Sequence, residues 1–487
     1  MATQKFKAPL NTAQFPFLYS RASRAVLQPG LDVAQRTPQQ FFGAIQNVDY
    51  NVIQLLYCEN VLPSATGLFS VGVSEEIAAI SPAVTDFDRL IILRDPEENN
   101  VMFSPGRGKN YVYNAALPGW ESKNAFTPGA SSNLVTKAYV NGRTFVCYEY
   151  ERVIEWDATL TLFNTLTLTL PAGYAITDIR GVCGASNYLL AFTSSEILWS
   201  SLVTLTDFDD PDTGSGRQTP IDLKGPINAV EPIAGGFIIY TSRNAVAAAY
   251  TNDASRPFIF SEVRGSGGVA SSDQVTSDAN AGGHYSYGSS GVQLLDLQRA
   301  ETVFPELADF LISREYEYWD SVTGQIIQTS LNQIQQSKLV YLANRYLFVS
   351  YGWTGSFYTF AVVYDTALKR WGKVRADHID IGLLPLEAGG GALRYYELDM
   401  YDSYTATDYD ALVESYGPVP PLKEGFIFLE PSGRVQMLTA TAASEGASGV
   451  AVFGHIQVTR GRNVTFQQAE IDGLFITPSP KLRILPA

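Results

Sequence analysis

The chain has 487 residues, of which 49 are acidic and 34 basic, for a formal net charge of −15. That balance offers no electrostatic footprint for gripping phosphates, so it argues against tight nucleic-acid binding. It leaves two readings, an acidic surface that serves solubility or an acidic lining past which a polyanion slides. With 27 Tyr, 26 Phe, 40 Gly and 25 Pro, and charged residues held to 17%, composition favours strands and turns over helices.

The opening "MATQKFKAPLNTAQFP" lacks the apolar run of an export signal, and no later stretch approaches the roughly 18 uninterrupted apolar residues of a membrane span. The expectation is a soluble protein with no membrane span and no export signal of the usual kind. Residues 1–60 are rich in Gln, Pro and Ala and read as an N-terminal arm or docking segment, with one short helix expected over 37–48, "TPQQFFGAIQNV".

From residue 61 a different pattern takes over, an alternating run rich in aromatics, a polar turn, and a second alternating run. It recurs over residues 141–157, 186–201, 235–250, 282–296, 344–374 and 424–438. In "SNYLLAFTSSEILWSS" (186–201), Tyr188, Leu190 and Phe192 share one face, a Thr-Ser-Ser turn follows, and Ile197 and Trp199 lie on the return strand. Where the units are regular they repeat at roughly 45 residues, the length of a four-stranded propeller blade. The fold expected is therefore all-β, a β-propeller of short antiparallel hairpin blades with an extended N-terminal arm and loop insertions. The propeller is assigned to residues 61–388, a Tyr- and Asp-rich insertion to 389–422, and strands that close the propeller to 423–487. Trp156, Trp199 and Trp371 are read as aromatics packed between blades. A second helix is expected over 304–320, "FPELADFLISREYEYWD", where Leu307, Phe310 and Leu311 fall at helical spacing and Pro305 stands near the start.

Candidate chemistry is thin. Cys58, Cys147 and Cys183 are far apart and contain no C-x-x-C, which reads as buried thiols in a reducing compartment, not a disulfide framework or zinc ribbon. Asp207, Asp209, Asp210 and Asp212 invite a calcium reading, but starting an EF-type loop at Asp207 puts Pro211 at a ligand position, and starting at Asp210 puts Gly214 at one and Ile221 where the bidentate Glu belongs. Asp-Pro-Asp-Thr-Gly is better read as a turn with Asp side chains capping backbone amides. "GRGKN" (106–110) and "RGSGG" (264–268) lack the spacing and context of a phosphate loop and are read as turns. His284, His378 and His455 stand outside any metal-ligand motif, and no G-x-S-x-G elbow nominates a serine. No catalytic, cofactor-binding or metal residue is therefore assigned.

The segments "YLLAFTSSEILWSSLVTLTDFDDPDTGSG", "IDLKGPINAVEPIAGGFIIYTSRNAVAAAY" and "RPFIFSEVRGSGGVASSDQV" together resemble virion proteins of short-tailed bacteriophages. In that family a Trp-Ser-Ser-Pro corner with a downstream Asp-Phe is followed by a "GPI…GFIIYT" hairpin and an "F-x-F-x-E-V…GG" segment. The resemblance covers residues 188–310, and Leu202 stands where the family often has proline. It implies a structural, non-enzymatic subunit of the tail nozzle, or tail tube, assembled in the host cytoplasm and resident in the virion tail. The implied partners are further copies of the chain in a homohexamer, the portal-adaptor and other tail proteins, fibres, and genomic DNA in transient, non-specific passage; no cofactor is implied. Two other classes stay open: a receptor-binding or fibre-anchoring tail protein using "MYDSYTATDYD", and a propeller-fold glycan-degrading enzyme.

Overall fold

The computed structural model describes residues 10–11, 53–63, 68–70, 72–78, 89–94, 100–105, 109–114, 119–125, 135–157, 162–253, 256–278, 282–288, 291–304, 315–320, 325–330, 337–367, 370–385, 424–430, 432–439 and 450–453. Its strands form seven antiparallel sheets arranged as blades around one axis, so the chain is an all-β propeller. Among the described residues, helical structure is limited to three-residue 3-10 turns at Ile176–Asp178, Pro211–Thr213 and Ser272–Gln274.

Five blades are plain four-stranded meanders. The first comprises Ile91–Arg94, Asn100–Pro105, Lys109–Asn114 and Gly119–Ala125, and the second Val135–Val140, Arg143–Tyr148, Arg152–Asp157 and Leu162–Leu166. The third comprises Gly181–Ala185, Tyr188–Phe192, Ile197–Trp199 and Gly216–Gln218, and the fourth Ile227–Ile233, Gly236–Thr241, Ala245–Tyr250 and Phe258–Glu262. Val275–Asp278, Gly283–Gly288, Gly291–Leu295 and Ala300–Phe304 make the fifth. The sixth (Lys338–Leu342, Tyr346–Trp353, Tyr358–Asp365, Arg370–His378) is widened by Val61–Pro63 and Leu68–Ser70. In the seventh, Asp380–Pro385, Glu424–Leu429 and Val435–Thr439 take their outer partner from Gly72–Ala78, so an N-terminal strand closes the ring. Two small sheets lie outside the blades. One joins Leu10–Asn11, Ile53–Glu59 and Val450–Phe453; the other is the hairpin Glu315–Asp320 with Gln325–Ser330.

All six expected hairpins are present, each contributing the second and third strands of a blade, with the fourth strand added over 344–374. Their hydrophobicity has a simple cause: a blade is covered on both faces, so its middle strands bury nearly every residue. Tyr188, Leu190 and Phe192 pack with Phe237 and Ile239 of the fourth blade, while Leu189 and Ala191 pack with Phe145 and Cys147 of the second. Similar layers fill the first–second, fourth–fifth, fifth–sixth and sixth–seventh gaps. Each large side chain so buried contributes about 1.5–3 kcal/mol. Trp156, Trp199 and Trp371 lie in three of these layers, between first and second, third and fourth, and fifth and sixth blades. At the closing seam Leu90 lies against Gly382, where a Cβ would come within 2.4 Å of Leu90 Cδ2.

The helix expected over 304–320 is not formed. Phe304 ends the outer strand of the fifth blade, and Glu315–Asp320 is a strand paired with Gln325–Ser330. Glu-Tyr-Glu-Tyr-Trp-Asp has a period of two and strand-favouring aromatics, and that pattern outweighs the short helical spacing before it. Residues 37–48 and the insertion at 389–422 lie outside the described residues.

Candidate functional site

The third-blade corner, residues 197–216, is held from within. Trp199 Nε1 donates to Gly214 O at 3.1 Å, and its ring meets Phe258 of the fourth blade edge-on at 5.8 Å. Ser200 Oγ accepts from Leu189 N, and Ser201 Oγ accepts from Val203 N and Thr204 N. Asp207 Oδ1 accepts from Asp209 N at 3.0 Å, and Asp210 Oδ1 accepts from Asp212 N at 3.1 Å to cap the Pro211–Thr213 turn. Two of the four aspartates thus use a carboxylate oxygen on their own backbone, as turn chemistry requires. Leu202 N donates to Thr213 O at 3.3 Å, a bond that a proline there would lack. Asp209→Asn combined with Asp210→Asn is expected to cost no more than about 1 kcal/mol, with a Tm indifferent to chelators. A Tm that calcium raises in the parent and not in the double variant would contradict the turn assignment.

The two glycine-containing loops are also built into the scaffold. Lys109 and Asn110 begin a strand of the first blade, where buried Asn110 accepts from Tyr148 of the second; residues 106–108 lie outside the described residues. In 264–268, Gly267 N donates to Gln293 Oε1 at 2.7 Å, and Gly268 lies so close to the Ser242–Arg243 backbone that a Cβ would come within 2.0 Å of Ser242 C.

Two histidines are sealed in the core. His284 Nε2 donates to Pro232 O at 2.8 Å and Nδ1 accepts from Tyr240 Oη at 2.9 Å; burial pushes its pKa down to about 4. His378 Nδ1 donates to Ala376 O at 2.6 Å and Nε2 accepts from Ser350 Oγ at 2.8 Å, again with burial lowering the pKa to about 4. Ser350 and His378 have the contact of a nucleophile and its base. Both are 0% exposed, which denies them a substrate. Cys147 and Cys183 are buried, and desolvation drives both thiols well above their usual pKa; the Cys58 side chain and His455 lie outside the described residues.

The main concentration of charge is on the axis. Lys338 Nζ lies 2.6 Å from Asp380 Oδ2 and 3.7 Å from Asp273 Oδ1, and Arg89 Nη1 lies 3.6 Å from Asp273 Oδ1. Asp380 also accepts from Leu90 N at 2.7 Å and from Ile381 N at 2.8 Å. The four side chains belong to the first, fifth, sixth and seventh blades, so the Arg89–Asp273 contact crosses the axis and bridges one end of the central channel. Burial alone would raise the Asp273 pKa; Arg89 and Lys338 outweigh it and hold the carboxyl below its usual value. None of these residues is apparent as a site from the sequence. The signal is positional, because each stands at or within two residues of the start of an innermost strand.

A second axial carboxylate behaves differently. Burial raises Glu231, on the innermost strand of the fourth blade, from 4.5 to about 7, against the opposing pull of Lys137 on the second. A carboxyl raised in the folded state favours folding below its unfolded pKa, and that contribution is lost as pH rises through about 7. Glu231→Gln is therefore expected to stabilise the chain at pH 8 by about 1–2 kcal/mol and to have little effect at pH 4, as read by urea unfolding.

No protein-family model matches the chain, and no curated protein sequence is significantly similar to it. Among solved structures it is similar to the extracellular domain of the putative one-component system BT4673 from B. thetaiotaomicron, at a TM-score of 0.41 and 10% identity over 70% of this chain and 45% of that one. The chain thus spans less than half the length of that protein. It is also similar to BamB from Moraxella catarrhalis (TM-score 0.37, 10% identity, 80% of this chain and 100% of that one) and to the RRP9 WD40 repeats (TM-score 0.37, 8% identity, 64% and 88%). No helix among the described residues is long and apolar enough to cross a membrane.

Proposed function

We propose that the chain is a non-enzymatic structural subunit of the tail nozzle of a short-tailed bacteriophage, assembling with copies of itself into a ring through which genomic DNA is ejected. The observation that carries this reading is the use made of the family-like residues. Trp199, Ser200, Ser201 and Phe208 of the corner, the Gly236–Thr241 strand and Phe258 are buried and build blade interfaces. A resemblance concentrated in such residues is that of a shared scaffold.

The axial bridge gives further support, since a duplex has no path through a channel spanned by Arg89 and Asp273. DNA would pass between copies, along surfaces that a net charge of −15 keeps from gripping phosphate. In the virion the ring would dock to the portal-adaptor above and to other tail proteins and fibres around it. Negative-stain images of the assembled chain test the proposal. A closed ring is expected; a trimeric spike would favour receptor binding, and cleavage of host surface polysaccharide by the purified chain would favour a glycan-degrading enzyme.

A further inference from the structure

The turn between the second and third strands of the second blade holds a tyrosine where the backbone favours glycine. Glu151 N donates to Tyr148 O at 3.0 Å, closing a four-residue turn, and Tyr150 at its third position has φ 61°. Such a left-handed position is strained for a bulky side chain and ordinary for Gly or Asn. Every other left-handed non-glycine residue among those described is Asn, Ser or Ala. The turn is fixed to its neighbour, with Tyr150 N donating to Ile179 O at 2.7 Å and Glu149 paired with Arg180 at 2.8 Å. The strained residue is thus rigidly held, yet its side chain is 44% exposed.

From this geometry we infer that Tyr150 is a contact residue for a second copy of the chain, inserting its ring into the adjoining subunit of the assembly. The inference rests on the homo-oligomeric reading proposed above and names a surface for it. Glu149 and Glu151 are paired with Arg180 and Arg152, so the tip presents an aromatic ring on charge-balanced ground. Such ground suits the core of a protein interface and gives a nucleic-acid backbone nothing to hold. Ile221, 94% exposed in the connection from third to fourth blade, opens on the same face of the disc, because second-to-third turns and blade-to-blade connections emerge at the same end of an antiparallel blade. Backbone strain held in place at an exposed aromatic is characteristic of a site kept for contact at a cost in stability.

Tyr150→Gly separates the two effects. The variant is expected to melt at a higher temperature than the parent, because glycine relieves the strain, and to associate about tenfold or more weakly in a sedimentation-velocity concentration series, because an interface anchor is lost. Tyr150→Asn, which tolerates the same backbone, should behave alike. Hydroxyl-radical footprinting should find Tyr150 oxidised in the free subunit and protected in the assembly. Unchanged association of both variants, or equal oxidation in the two states, would overturn the inference. So would a parent chain that stays monomeric throughout, whereas failure of the tail assignment would show separately as absence of the chain from gold-labelled tails.

Discussion

Replacing Asp380 with alanine is expected to destabilise the chain by about 3–5 kcal/mol, the usual cost of removing one partner from a buried ion pair. Asp380 is 2% exposed; its loss leaves the Lys338 ammonium without its closest carboxylate and the Leu90 N–H without its acceptor. Leu90 is where the first blade meets the seventh, so the damage falls on the closing seam of the ring. Asp380→Asn should cost less, because an amide oxygen can still accept from Leu90. The network also gives the stability a sign in pH. Asp273 has a lowered pKa in the folded chain, so its contribution is present above the unfolded value and is lost as pH falls below about 4. A urea midpoint that hardly moves in Asp380→Ala would show that the seam is held by something else.

Trp199→Ala should cost about as much, roughly 3–5 kcal/mol, for a different reason. The indole fills the layer between third and fourth blades, meets Phe258 edge-on and donates to Gly214 O, so truncation opens a cavity and leaves a carbonyl without its donor. Both costs fall on one contact between blades, and urea unfolding should show a lower midpoint with an unchanged slope. Trp199→Phe, which keeps most of the apolar volume and loses only the N–H donor, should recover more than half of the loss. Equal midpoints for Trp199→Ala and the parent would contradict the packing described.

The middle hairpins were legible in the sequence because their burial on both faces writes long aromatic-rich alternations, as in Tyr188–Phe192 and Gly236–Thr241. Inner and outer strands left weaker traces. Gly181–Ala185 is largely Gly and Ala, and Gly72–Ala78 reads as a polar stretch until its pairing with Val435–Thr439 is known. Ring closure is a contact between residues more than 350 positions apart in register, and no local pattern encodes it. Over 304–320 three apolar residues at helical spacing suggested a helix that Glu315–Asp320 does not form. The aspartates of the third-blade corner could be read as turn residues because capping is local chemistry, visible in Asp-Pro-Asp-Thr-Gly itself. The axial network could not, since Arg89, Asp273, Lys338 and Asp380 meet only when the blades close around one axis.

The most direct test of the central claim is an image reconstruction of a phage particle that carries this chain, at a resolution that places individual blades. The account predicts a ring of identical copies below the portal and adaptor, each a seven-bladed disc with its own axis bridged, the DNA path running between discs and Tyr150 at the contact between neighbours. Absence of the chain from the tail, or copies arranged as a peripheral spike with no shared lumen, would contradict it.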